Sequence, residues 1–124
     1  MHFQPELNPH LNTITACDHD AIKINQTPYA SSIWVTPEGE VKILEASHFS
    51  ELTEELFETV SKATPEVVLV GTGSQQHFIH PAKLAPLNRA RIGVECMSSQ
   101  AACRTYNVLM GEGRRVLALI LLPD

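Results

Sequence analysis

Two segments of this chain set small and polar residues directly after runs that read as buried strands. Val67-Val68-Leu69-Val70 breaks into Gly71-Thr72-Gly73-Ser74-Gln75, and Ile92-Gly93-Val94-Glu95-Cys96-Met97 breaks into Ser98-Ser99-Gln100-Ala101-Ala102-Cys103-Arg104-Thr105. In an open α/β sheet, ligands collect where strand ends meet glycine turns and helix N-termini. Gly71, Thr72, Gly73 and Gln75, with Ser98, Ser99, Arg104 and Thr105, are therefore the candidate ligand-binding residues. The chemistry they suit is capture of a carboxylate or phosphate, by unpaired amides at a helix start and a guanidinium about one and a half turns along. Each also has a structural alternative: the glycines as a tight turn, the serines as a helix cap, and Arg104 as the partner of an internal acid such as Glu95 or Glu112. A nucleotide fingerprint fails, because Gln76 stands where the third glycine is required and no Gly-Lys-Ser/Thr follows.

Glu95 interrupts an apolar strand, and a charge in such a place is costly unless paired. The expected solution is an ion pair with Arg104, Arg114 or Arg115, the alternative being a functional acid. His77 and His80 have the spacing of two metal ligands on a helical turn, but no third or fourth ligand is recognisable, so neither metal nor cofactor is expected. Cys96 and Cys103 lie among apolar neighbours, where a thiol packs rather than attacks, and no catalytic residue is assigned. Tyr106 and Leu109 share a helix face with Ala102 and read as core.

The elements that must position these residues follow from the hydrophobic pattern. Strands are expected at Thr13–Ala16, Ala21–Asn25, Ser32–Thr36 and Val41–Leu44, an N-terminal β-meander with turn chemistry at Asp18-His19-Asp20 and Pro37-Glu38-Gly39-Glu40. Ser50 reads as the N-cap of a helix with an acidic first turn (Glu51, Glu54, Glu55) and Leu52, Leu56 and Val60 on one face. A buried strand over Glu66–Val70 precedes a helix over Pro81–Arg91, in which Pro86 marks a break or a start. Strand Ile92–Met97, a helix over Ser99–Met110 stopped by Gly111, and a final apolar strand over Arg114–Leu122 complete a β-α-β-α-β half.

With 124 residues the chain is expected to form one domain, spanning residues 1–124. Fourteen acidic against nine basic residues give a net charge of −5, which disfavours nucleic acid and anionic lipid as partners. Three cysteines with no Cys-x-x-Cys pair argue against a disulfide framework and for a reducing compartment. Met1–His10 lacks a basic patch followed by an apolar run, and Val116–Leu122 is far shorter than the roughly 20 residues of a membrane span. A soluble, cytoplasmic protein is expected.

The ordered segments Val68–Gly73, Gly93–Glu95, Ala101–Leu109 and Glu112–Val116 closely resemble a small domain family of unknown function. It is shared by many bacterial proteins, an archaeal protein of the Mth type and a mitochondrial respiratory complex I assembly factor. The Asn12–Ala16 opening and Val35-Thr36-Pro37 are similar to its bacterial members. The resemblance implies a three-layer α/β fold with a mixed central sheet flanked by helices, and supplies no reaction. Cys96 replaces an aliphatic residue common in that family, and Ser98-Ser99 replace Asp-Thr, which keeps an N-cap and removes an acid. The expected function is a non-enzymatic binding or assembly-type module with a protein partner, acting through a strand-end crevice of Gly71–Gln75 and Ser98–Arg104. The alternative is an enzyme or sensor that binds a small anionic metabolite in the same crevice. Monomer and homodimer both remain open, the latter through the terminal strand or a meander edge.

Overall fold

The computed structural model describes residues 9–124. Most of the stretch on which the leader reading rests, residues 1–8, falls outside the described residues. Eight strands and three α-helices follow in the order β1 (Ile14–Cys17), β2 (Ile22–Ile24), β3 (Thr27–Tyr29), β4 (Ile33–Val35), β5 (Lys42–Ile43), α1 (Glu54–Lys62), β6 (Val67–Gly71), α2 (Ala85–Arg89), β7 (Gly93–Met97), α3 (Ser99–Gly111) and β8 (Val116–Ile120).

The main sheet has the order β5-β4-β8-β6-β7; β8, β6 and β7 run parallel, and β4 and β5 are antiparallel additions. Period-two alternation divides its central strands between two cores. Val68, Val70, Leu117 and Leu119 face Phe57 and Val60 of α1 and Leu87 of α2. Val67, Leu69, Val116, Ala118 and Ile120 face Ala102, Cys103, Tyr106 and Met110 of α3, together with Ile14, Cys17, Ile22 and Ile24 of the small sheet β1-β2-β3. Helices on one side, the mixed sheet, and α3 with the small sheet on the other make the three layers that the resemblance implied.

Several expectations are corrected. The meander splits, because only β1–β3 pair with one another while β4 and β5 join the main sheet. Thr27–Tyr29 is a strand the pattern missed; it contains Pro28, which an edge strand tolerates. Thr53, not Ser50, caps α1, its Oγ1 accepting from Leu56 N at 3.1 Å. Ser50 belongs to a separate 3₁₀ turn over Phe49–Glu51, closed by Glu51 bonding back to His48 N, so Leu52 enters the core before the helix begins. Pro86 starts α2 after a 3₁₀ turn at Pro81–Leu84. Gly111 lies inside the last turn of α3, and Gly113, at φ +79°, takes the left-handed position beyond it. β8 is paired on both sides, by β4 and β6, so it offers no edge to a twin.

The small sheet is held to α3 by polar bonds as well as by packing. Asn107 acts as a piece of neighbouring strand: its Oδ1 accepts from Ile14 N at 3.0 Å and its Nδ2 donates to Ile14 O at 2.8 Å. Tyr106 donates its hydroxyl to Asn12 O at 2.7 Å, and burial raises that phenol's pKa, keeping it a donor. Replacing Asn107 by Ala leaves both backbone groups of Ile14 without partners, an expected loss of about 2–4 kcal/mol in urea unfolding. Tyr106→Phe, which strands one carbonyl, is expected to cost about 1 kcal/mol in the same measurement.

Candidate functional site

The two strand ends singled out by their sequence do meet. β6 and β7 are in parallel register, Gly71 opposite Met97, so Thr72 and Ser98 leave the sheet side by side. α3 then turns back over β6, with Ser98 as its N-cap, Oγ accepting from Ala101 N at 3.3 Å.

The meeting is a contact and not a gap. A methyl group at Gly71 would lie 2.9 Å from Ser99 Cα and 3.2 Å from Ala102 Cβ, so glycine is needed for close approach of helix and strand. Ser99 is fully buried, and its hydroxyl accepts from Gly73 N at 2.9 Å while donating to Leu121 O at 2.6 Å. Its amide donates to Gly73 O at 2.8 Å. Gly73, at φ +101°, makes the turn that permits both bonds. Thr72 Oγ1 donates to Gln75 O at 2.7 Å and accepts from His77 N at 3.0 Å, and Thr72 N donates to Met97 O. Polar groups that could have received an anion are thus bonded to one another, including the Ser99 and Ala101 amides at the start of α3.

What faces solvent is the rim of this junction. Ser74, Gln75 and Arg104 are exposed, and Thr105 is half-buried. The loop continues through His77, whose ring stacks on Phe49 with centroids 4.1 Å apart and planes 14° from parallel. Phe78 follows, 83% exposed. Sequence reasoning passed over Phe78; an aromatic residue bracketed by histidines and glutamines in a polar loop was the available signal.

Other sequence candidates find different settings. Glu95 is exposed on β7, an edge strand, so its charge is solvated and needs no buried partner. A different acid engages the arginines before β8: Glu66 Oε2 lies 3.5 Å from Arg114 Nε, and Glu66 Oε1 accepts from Arg115 N at 2.8 Å. These contacts, led by the Arg115 amide, hold the Glu66 carboxyl below its ordinary pKa. His80 caps the 3₁₀ turn, its Nδ1 accepting from Ala82 N at 3.0 Å. Among the described residues no three His, Cys, Asp or Glu side chains gather as a metal site. Cys103 donates its thiol hydrogen to Cys17 across the α3–β1 contact, and this hydrogen bond with burial raises the Cys103 thiol pKa well above the usual range; burial also raises that of Cys96. Neither thiol is poised as a thiolate nucleophile.

Two concavities open elsewhere. One of about 710 Å³ lies where β6 and β8 begin, and one of about 330 Å³ lies beside Ser32 and Leu44; neither has a wall from residues 71–75 or 98–104.

Ser99→Ala is expected to cost about 2–3 kcal/mol in chemical denaturation, since it strands a buried amide and a buried carbonyl. Gly71→Ala forces helix and strand apart and is expected to cost about 1–3 kcal/mol. A thiol reagent applied to the native protein is expected to label Cys96 first, with Cys17 and Cys103 reacting only at the rate of unfolding, as mass spectrometry of digests would read.

Comparison with known proteins agrees with this architecture. A crystal structure of a Bordetella parapertussis protein is 42% identical, covers 95% of this chain and 100% of its own, and superimposes with a TM-score of 0.86. The solution structure of a Bordetella pertussis protein, described as a Mth938-like domain, is 33% identical over 98% of this chain and 92% of its own, with a TM-score of 0.82. The mouse NADH dehydrogenase [ubiquinone] 1 alpha subcomplex assembly factor 3 is 36% identical over 75 residues, which are 59% of this chain and 40% of the mouse protein. The similarity thus reaches less than half the length of that relative. No helix among the described residues is long and apolar enough to cross a membrane. Residues 14–121, nearly the whole described chain, match the family described as protein of unknown function (DUF498/DUF598), and the chain belongs to that family.

Proposed function

We propose that this protein is a non-enzymatic, assembly-type module that holds a protein partner in the cytoplasm, through the strand-end face where Gly71–Gln75 meet Ser98–Arg104. The observation that carries this reading is the exposed ring of Phe78 on a loop whose root is bonded into the fold. Thr72 Oγ1 and the His77–Phe49 stack hold the loop at its start, so presenting Phe78 costs little ordering entropy on binding. Aromatic side chains in such settings act as interface anchors, and Arg104 adds a charge at the rim. The name of the mouse relative, an assembly factor, supports the same class of role. Internal bonding of Thr72, Gly73 and Ser99 weighs against the small-anion alternative, because a ligand there would have to displace bonds that hold sheet and helix together.

A photo-crosslinking residue placed at position 78 of the full chain in cells is expected to give one discrete protein adduct, absent when the label stands at exposed Lys62, the last residue of α1. Phe78→Asp and Arg104→Glu are expected to abolish co-purification of that partner while leaving the melting temperature within a degree or two of the parent. Equal adducts from positions 78 and 62, or none from either, would remove the proposal. Cell fractionation of the parent tests the cytoplasmic part separately.

A further inference from the structure

The pocket of about 710 Å³ stands at the end of the main sheet where β6 and β8 begin, one strand length from the strand-end face, and the partner reading makes no use of it. Four separate parts of the chain wall it: Leu11 ahead of β1, the β4–β5 hairpin, the turn from α1 to β6, and the turn from α3 to β8. Its volume falls within the range typical of small-molecule sites, roughly 300–1,000 Å³.

Trp34, Pro65, Met110 and Leu117 line it as buried apolar side chains, Trp34 being 9% exposed. Charge is unevenly placed around it. Lys42, Arg114 and Arg115 are three of the nine cationic side chains in a chain of net charge −5, and all three are exposed at this one opening. Glu38 and Glu40 lie on the hairpin side. Arg114 already faces Glu66, whereas Arg115 meets Glu66 through its backbone amide, and its guanidinium has no hydrogen-bond partner among the described residues. Lys42 Nζ lies 4.9 Å from the centroid of the Trp34 ring, so a cation and an aromatic surface adjoin within the same wall. Thr64, also in the wall, holds φ at +51°, a left-handed conformation that a β-branched residue rarely adopts.

We propose that this pocket binds a small amphipathic carboxylate, its apolar body on the Trp34 side of the sheet and its carboxylate on Arg115 and Lys42. Guanidinium is suited to this because its planar fork meets both oxygens of a carboxylate. Glu38 and Glu40, in the turn of the hairpin that carries Lys42, repel the carboxylate from the turn itself and toward Arg115 and Lys42. The site lies at the other end of the sheet from Phe78, so it stands or falls independently of the partner reading.

Trp34 is the only tryptophan in the chain, so its fluorescence reports on the pocket wall directly. Phenylpropionate titrated into the full-length protein is expected to give a saturable change in that emission, and phenylpropanamide, which lacks the charge, to bind at least tenfold more weakly. Arg115→Glu is expected to weaken phenylpropionate at least tenfold, and Arg115→Lys to retain part of the affinity, each with unchanged melting temperature. No saturable change in Trp34 emission, equal binding of acid and amide, or parental affinity in Arg115→Glu would each overturn the proposal.

Discussion

One hydroxyl governs the middle of this molecule. Ser99 Oγ, fully buried, accepts from the amide just beyond β6 and donates to the carbonyl just beyond β8. Because Ser99 is also the first residue of α3, a single side chain joins two strand ends to the helix that crosses them. The arrangement works only if nothing stands between strand and helix, and Gly71 meets that condition by having no Cβ to collide with Ser99 Cα. The glycines of Gly71-Thr72-Gly73, which suggest a phosphate cradle, are thus accounted for by close packing at one and by a positive φ at the other.

Fixing the start of α3 has consequences along its length. With its N-terminus set against β6, the helix buries Ala102, Cys103, Tyr106 and Met110 in the core beneath the small sheet. Asn107, one residue after Tyr106 and so turned toward a different side of the helix, reaches β1 with an amide that supplies the two bonds of a missing strand. The N-terminal sheet is therefore attached through α3 by bonds from helix to strand, while its own pairing is short and interrupted by a bulge between Ile14 and Ala16. That is why the expected four-strand meander does not form: β4 gains more by pairing with β8, where Ile33, Trp34 and Val35 are all buried.

Much of this was legible in the chain. The continuous apolar run of the Glu66–Val70 strand marked burial on both faces, the final apolar strand was read as a strand without its central place, and the ends of β6 and β7, expected to share a crevice, lie side by side in contact. Three things were not legible, for physical reasons. Glu95 looked buried because its neighbours are apolar, but burial depends on whether a strand is central or at an edge, and strand order is a long-range property. The strand-end residues had the types of a ligand site, but whether a serine hydroxyl faces a ligand or a neighbouring backbone is decided by an approach of a few tenths of an ångström. The pocket beside Trp34 draws its walls from residues scattered between Leu11 and Leu117, so no local window of sequence contains it.

The two ends of the sheet are consequently unlike. At the end where the parallel strands finish, helix and strand amides are bonded to each other, and binding there can use only what projects past the junction. At the end where they begin, the α1–β6 and α3–β8 turns stand apart, and neither Thr64 nor Gly113, both at positive φ, closes the space between them. A parallel arrangement ordinarily puts its ligands beyond the carboxyl ends of the strands, because helix N-termini offer unpaired amides there. Here the Ser99 amide fastens α3 to Gly73 O and the Ala101 amide is taken by the Ser98 cap, and the concave surface with its cationic side chains lies at the amino ends. An anion bound at those ends faces the negative C-terminal ends of α1 and α3, which side-chain charge must offset. Lys42, Arg114 and Arg115, gathered there, supply that charge.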